Sequence, residues 1–201
     1  MLFSKEGWLD LKERKIGVTD DSSTSAKLLS VLLEKKYGVQ AHFERLHSGV
    51  NDYTKYDAVL LIGDEALRHN KSGLHGFELV FDLAREWYDW QRLPFVFAVW
   101  AMKKSLSGAE KEALRTMLAD SLQKYEAELS SNGKRQGTEI GLTAAETQEY
   151  LEGFSYRLGE RECEGMNAFR GLLTVQRNTD DTDINGSTQI ESSVKISNDS
   201  M

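Results

Sequence analysis

The chain reads as an α/β protein, and three observations carry that reading. Lys15-Ile16-Gly17-Val18-Thr19 has the composition of a short strand, and a polar turn then opens a helix whose apolar face is Ala26, Leu28, Leu29, Val31, Leu32 and Leu33. Val39, Ala41 and Phe43 alternate with Gln40, His42 and Glu44, the period-2 pattern of a half-buried strand. Asp57 to Ile62 is then an almost unbroken apolar run that ends at Gly63-Asp64. Such a run is the mark of a strand covered on both faces, and strand, helix, strand, loop and buried strand in quick succession is the rhythm of a parallel α/β unit.

The elements follow in order. Ser22 to Ser25 supply the polar start of the first helix, and Tyr37-Gly38 supplies its stop. Phe77, Val80, Phe81, Ala84, Trp87 and Tyr88 recur at helical spacing and predict a helix over 76–90. Leu93-Pro94-Phe95-Val96-Phe97-Ala98-Val99-Trp100 predicts a buried strand, with Pro94 near its beginning where a missing N–H is tolerated. Ser107 and Glu110 form a capping box ahead of a long helix with Ala113, Leu114, Met117, Leu118, Leu122, Tyr125 and Leu129 inward, stopped at Asn132-Gly133. Thr143 and Glu146 form a second box for a shorter helix reaching about Leu151, and a last helix over 160–173 turns Cys163, Met166, Phe169 and Leu173 inward. No internal repeat is present.

Composition narrows the function classes. The 201 residues carry 25 Lys and Arg against 32 Asp and Glu, a net charge of −7. That sign argues against nucleic acid or an anionic membrane surface as partner, because both attract basic proteins. Apolar residues at 40% and charged residues at 28% fit a soluble globular chain. The longest apolar run, Leu93 to Met102, is far short of the roughly 18 residues that span a bilayer. Met1 to Glu6 lacks the long apolar core of a signal peptide, so the expected compartment is the cytoplasm. Cys163 is the only cysteine, which excludes an internal disulfide and a cysteine-cluster metal site.

Residues 178–201 contain no aromatic residue and are dominated by Asp, Asn, Ser and Thr. They carry Asp180, Asp181, Asp183, Glu191 and Asp199 against Lys195 alone, and they predict a disordered tail, since so little apolar surface cannot offset the entropy of ordering. Asp181-Thr182-Asp183-Ile184-Asn185-Gly186 begins like a calcium loop, but the twelfth position, which needs a bidentate Glu, is Ser192.

Two places carry candidate site chemistry. Thr19, Ser22, Ser23, Thr24 and Ser25 gather hydroxyls where strand gives way to helix, and the first N–H groups of a helix have no intrahelical acceptor. With the positive end of the helix dipole, they make a seat for a carboxylate or phosphate; the same residues would also serve as plain helix caps. Gly63 and Asp64 lie at the carboxyl end of the buried strand, the edge where ligands collect in open α/β sheets. Gly63 admits a ligand close to the backbone, and Asp64 either orients a ligand hydroxyl or caps the helix through Glu65-Ala66-Leu67. His42, His47, His69 and His75 show no metal-ligand spacing, Cys163 sits on an apolar helical face, and Trp87, Trp90 and Trp100 fit packing better than ligand stacking. No metal and no cofactor is expected.

Several motifs in order resemble the menaquinone-biosynthesis family of the futalosine pathway. They are Ile16-Gly17-Val18-Thr19 through Ser22-Ser23-Thr24-Ser25, Leu60-Leu61-Ile62-Gly63-Asp64-Glu65-Ala66-Leu67, and Asp82-Leu83-Ala84-Arg85-Glu86-Trp87 with Leu93 to Trp100. Tyr156-Arg157-Leu158-Gly159-Glu160 and Gly165-Met166-Asn167-Ala168-Phe169 close the series. Within that family the chain is most similar to chorismate dehydratases, over roughly residues 1–175. The resemblance implies a two-lobed fold like type 2 periplasmic binding proteins, with the ligand between the lobes. Residues 1–14 would be the hinge segment through which the chain arrives, 15–70 the second lobe, and 76–177 the return to the first lobe. The implied reaction is dehydration of chorismate, a dicarboxylate, to 3-[(1-carboxyvinyl)oxy]benzoate without metal or cofactor.

The resemblance begins well inside the family pattern. The N-terminal part of lobe one, with the Asn and Ser groups that act on substrate, has no counterpart here, so no residue of this chain inherits a catalytic role. Competing readings are a non-catalytic small-acid-binding module of the same fold and an inactive remnant.

Overall fold

The computed structural model describes residues 1–19, 23–46, 52–139 and 141–176. Ser22, His47, the acidic tail and its calcium-like pattern lie outside them. The described residues form two compact units, one of residues 1–97 with residues 164–176, the other of residues 98–163.

The first unit holds a five-stranded mixed sheet: β1 (Leu2–Ser4), β2 (Lys15–Thr19), β3 (His42–Leu46), β4 (Ala58–Leu60) and β5 (Leu79–Phe81), in the order β3-β2-β4-β1-β5. β2 runs parallel to both β3 and β4, whereas β1 pairs antiparallel with β4 and β5. The α/β expectation holds. Period-2 alternation splits the central strands between two cores. Leu2, Ile16, Val18, Ala58 and Leu60 pack on one face with α1 (Ser23–Val31), and Phe3, Val59 and Leu61 pack on the other with Ala66 of α2 (Gly63–Ser72). All three residues of β4 are fully buried, as its continuous apolar run predicts. β3 is an edge strand, and Phe43, an expected inward residue, is 44% exposed.

α1 passes into a π turn over Leu32–Lys36, closed where Tyr37 N donates to Leu32 O at 3.1 Å, and Gly38 at φ +68° ends it. The wider turn presents Lys36 and Tyr37 to α3 (Leu83–Gln91): both side chains donate to Glu86 Oε2 at 2.5 Å. Burial works against the Lys36 charge, yet these bonds hold its ammonium above the usual lysine range.

Three expectations are corrected. The predicted helix over 76–90 begins only at Leu83, because Leu79–Phe81 joins the sheet as β5 and Asp82 Oδ1 caps α3 through the N–H groups of Ala84 and Arg85. Apolar spacing there fits both states, and pairing with β1 decides it. The predicted buried strand Leu93–Trp100 is neither strand nor helix: Leu93 to Val96 are half-buried, and Phe97 to Trp100 are exposed. A strand needs a neighbour, and among the described residues none pairs with it. Third, α4 (Gly108–Glu139) runs on past Asn132-Gly133, since an internal Gly weakens a helix by only about 1 kcal/mol without stopping it.

The second unit contains α4 and α5 (Ala144–Glu152), and both expected capping boxes form. Ser107 N donates to Glu110 Oε2 at 2.8 Å and Thr143 N to Glu146 Oε2 at 2.7 Å. α4 and α5 meet closely where a Cβ on Gly137 would fall 1.7 Å from Thr147 Oγ1. The expected core face of α4 is not a core. Leu114, Leu118, Leu122 and Tyr125 are half-buried, while Ala113 and Met117 are exposed. Burial and a hydrogen bond with Tyr156 push the Tyr125 phenol up to about 12.

The last helix, α6 (Glu160–Gln176), seats Phe169 in the first unit against Trp87 and Phe95. Gly165 allows it to sit there: a Cβ on Gly165 would lie 2.1 Å from the Pro94 carbonyl oxygen. Gly165→Ala therefore forces the helix off the Pro94 backbone. Thermal unfolding should show a loss of about 1–3 kcal/mol, the usual cost of overpacking. An unchanged melting temperature would mean that α6 is not docked on Pro94.

Candidate functional site

The site is set by topology. β2 leads through α1 to β3, on one side of it in the sheet, and β4 leads through α2 away on the other side. α1 belongs to one core and α2 to the opposite one, so the winding reverses between β2 and β4. A crevice forms outside the carboxyl ends of the strands at such a switch point, and ligands of open α/β sheets bind there.

The sequence-derived residues lie just beyond the carboxyl ends of the two strands that flank this switch point. Thr19 is the last residue of β2, half-buried, with its Oγ1 3.5 Å from the Leu60 carbonyl oxygen of β4. Ser23, Thr24 and Ser25 are the first three residues of α1; Ser23 is exposed, and Thr24 and Ser25 are half-buried. Three hydroxyls thus sit in the turn whose backbone N–H groups have no helical acceptor. Gly63 and Asp64 open α2, both exposed. Structure brings these two groups of residues to neighbouring strands, which sequence spacing alone does not establish.

α2 differs from α1 in a way that bears on chemistry. Ile62 occupies its N-cap position, and no side chain caps it. The expectation that Asp64 serves as a helix cap is therefore not met; Asp64 lies inside the first turn with Glu65. Gly63 has φ +60°, a left-handed conformation that only glycine adopts freely, and nothing lies within 4 Å of where its Cβ would stand. The backbone there is open to a ligand. α1 thus offers hydroxyls and N–H donors suited to a carboxylate, whereas α2 offers an approachable backbone beside an acidic acceptor suited to a ligand hydroxyl.

Behind the α2 bank, Tyr53 donates its hydroxyl to Glu65 Oε1, and its ring packs edge-on to His69 at 6.3 Å. Burial and the adjacent Glu65 carboxylate push the Tyr53 phenol well above the usual range, so it remains a donor. Sequence reading missed this buttress, because Tyr53 comes from the loop before β4 and no local pattern ties it to Glu65. Elsewhere, His42 pairs with Glu13 at 3.1 Å, and Trp87 is a fully buried core residue. Among the described residues, no group of His, Cys, Asp and Glu is placed to hold a metal ion, and no helix is long and apolar enough to cross a membrane.

Comparison with known proteins adds the chemistry that geometry leaves general. The profile of a protein family described as menaquinone biosynthesis matches residues 1–174. The chorismate dehydratase of Thermus thermophilus is 31% identical over 172 residues, which is 79% of this chain and 62% of that relative. The chain thus spans less than two thirds of the length of the curated relative it matches.

Proposed function

This chain belongs to the menaquinone-biosynthesis family, and from that premise we propose that it forms the second lobe and the return into the first lobe of a cytoplasmic chorismate dehydratase of the futalosine pathway. The reaction removes the ring hydroxyl of chorismate together with a proton from the neighbouring ring carbon. Water leaves, and the ring becomes the aromatic ring of 3-[(1-carboxyvinyl)oxy]benzoate. The step is redox-neutral and calls for no electron carrier.

One observation supports this reading: the hydroxyl-bearing start of α1 and the open, acid-flanked start of α2 follow neighbouring parallel strands, β2 and β4, where the winding of the sheet reverses. A substrate carboxylate is held by Ser22, Ser23, Thr24 and Ser25 with Thr19 beside them. Gly63 lets the substrate approach the backbone, and Asp64 orients its ring hydroxyl. Positioning and the dispersal of carboxylate charge over hydroxyls and backbone amides are this chain's share of catalysis. The groups that act on the departing water belong to the part of the relative without a counterpart here.

The fold proposed is that of type 2 periplasmic binding proteins. Residues 1–14 bring the chain in along β1, 15–70 build the second lobe, and 76–177 begin the return along β5, the strand antiparallel to β1.

The test is a chromatographic assay of chorismate loss and benzoate formation. It compares the 201 residues with the same chain extended through in-frame upstream codons. Conversion by the extended chain is the expected result. If both proteins bind the acid and neither converts it, the enzyme reading fails and a small-acid-binding module takes its place.

A further inference from the structure

The start of α2 is held only weakly by its own backbone. Ile62, a poor N-cap residue, precedes it, and no side chain caps it. Gly63 follows in the left-handed region at φ +60°. The bond that closes the first turn, from Ala66 N to Ile62 O, is 3.5 Å long, against about 2.9–3.0 Å for an ordinary one. A helix of ten residues is marginal in water and relies on tertiary packing, yet Ala66 is the only residue of α2 that is buried outright.

Two half-buried side chains of α2 supply the hold, and both meet Tyr53. Glu65, the third residue of the helix, accepts the Tyr53 hydroxyl at Oε1. His69, one turn further on, stands edge-on to the Tyr53 ring at 6.3 Å and to Phe3 of β1 at 6.2 Å. Tyr53 is itself fixed: it is 6% exposed and shares a core with Phe3 and Ala66. Thr54 N and Oγ1 both donate to Asp52 Oδ1, at 3.0 and 2.6 Å, and Tyr56 N closes a turn onto Tyr53 O at 3.0 Å. Lys5, just after β1, ties the loop to the sheet by donating from Nζ to Thr54 O at 2.9 Å. Burial, with the Glu65 carboxylate beside it, keeps the Tyr53 phenol protonated and so a donor.

We propose that Tyr53 is a positioning residue for ligand binding: acting through Glu65, it fixes the first turn of α2 and with it the place at which Gly63 and Asp64 meet a ligand. The inference rests on the ligand-binding role given to Gly63 and Asp64 above, and it adds what makes that role precise. A glycine backbone open to a ligand and an acidic side chain beside it are useful only at a fixed distance from the carboxylate seat on α1, since a misplacement of about 1 Å can cost about a hundredfold. A first turn ordered in advance also loses less freedom when the ligand arrives.

The test titrates 3-[(1-carboxyvinyl)oxy]benzoate into the 201-residue chain and its variants by isothermal calorimetry. Tyr53→Phe, which removes only the hydroxyl, should weaken binding about tenfold, inside the range that misplacement produces. Glu65→Ala should do the same, and the two combined should do no worse than either, because both remove one interaction. Glu65→Gln keeps an oxygen that accepts from Tyr53, so its affinity should stay within about threefold of the parent. Amide order parameters from nuclear magnetic resonance read the cause without any ligand. In Tyr53→Phe those of Gly63 and Asp64 should fall from about 0.85 toward 0.6, while Asn70, further along α2, keeps its value. Unchanged affinity in Tyr53→Phe overturns the proposal. So does a Glu65→Gln variant as weak as Glu65→Ala, which would make the charge of Glu65 itself the ligand's partner. A fall in order that extends through Asn70 also overturns it, since Tyr53 would then support the helix as a whole. If the parent takes up none of the benzoate, the ligand reading fails; the order parameters then decide this inference alone, and unchanged values at Gly63 and Asp64 sink it.

Discussion

Trp87→Ala should lower the stability of the first unit by about 3–5 kcal/mol, the range for removing a large aromatic side chain from a packed core. The side chain is completely buried, and the rings of Trp90, Phe95 and Phe169 stand edge-on to it at 6.0, 5.5 and 5.8 Å. These partners come from α3 itself, from the segment after it and from α6. One cavity therefore loosens three parts of the chain, and collapse around it is limited. Urea unfolding followed by circular dichroism reads the effect as a fall in midpoint. Trp87→Phe is the informative companion. The indole Nε1 of Trp87 is buried with no hydrogen-bond partner, and a buried donor without an acceptor costs about 1–3 kcal/mol. Phenylalanine keeps a ring in the site and removes that donor, so its loss should be less than half that of alanine. A Trp87→Ala loss under about 1 kcal/mol, well below that range, would mean that this cluster does not anchor α6.

How much of this was legible in sequence depends on the range of the interactions involved. The start of α1, both capping boxes and β4 are written in local patterns, because a cap needs only three residues and a buried strand only an apolar run. β1 and β5 have three residues each and owe their state to pairing across the sheet, so Val80 and Phe81 could be read equally well as a helical face. Leu93–Trp100 was misplaced for the complementary reason: its pattern is that of a strand, but pattern alone does not supply the neighbour. The hydroxyl cluster was legible by its chemistry. That Thr19 and Gly63 lie at the same edge of neighbouring strands was not, since it follows from β2 pairing with β4, residues roughly forty apart in the chain.

Thr24→Ala combined with Ser25→Ala should weaken binding of 3-[(1-carboxyvinyl)oxy]benzoate about a hundredfold, measured by isothermal titration calorimetry. A hydrogen bond to a charged group contributes about 1.5–3 kcal/mol. Two hydroxyls on one carboxylate are not independent, so a joint loss near 3 kcal/mol is the reasonable expectation, and about 1.4 kcal/mol corresponds to a factor of ten. The fold is a small concern here. Both side chains are only half-buried, and alanine is the best helix former, so the variant should unfold at nearly the same urea concentration as the parent. The backbone N–H groups of the first turn remain in place, which is why the loss is a hundredfold and not complete. Raising the salt concentration adds a further discrimination. A carboxylate seated on hydroxyls and a helix end inside a crevice is screened little, whereas one merely attracted to surface lysines is displaced within the first few hundred millimolar. Unchanged affinity in the double variant would remove the α1 bank from the site and leave Gly63 and Asp64 without a partner across the crevice.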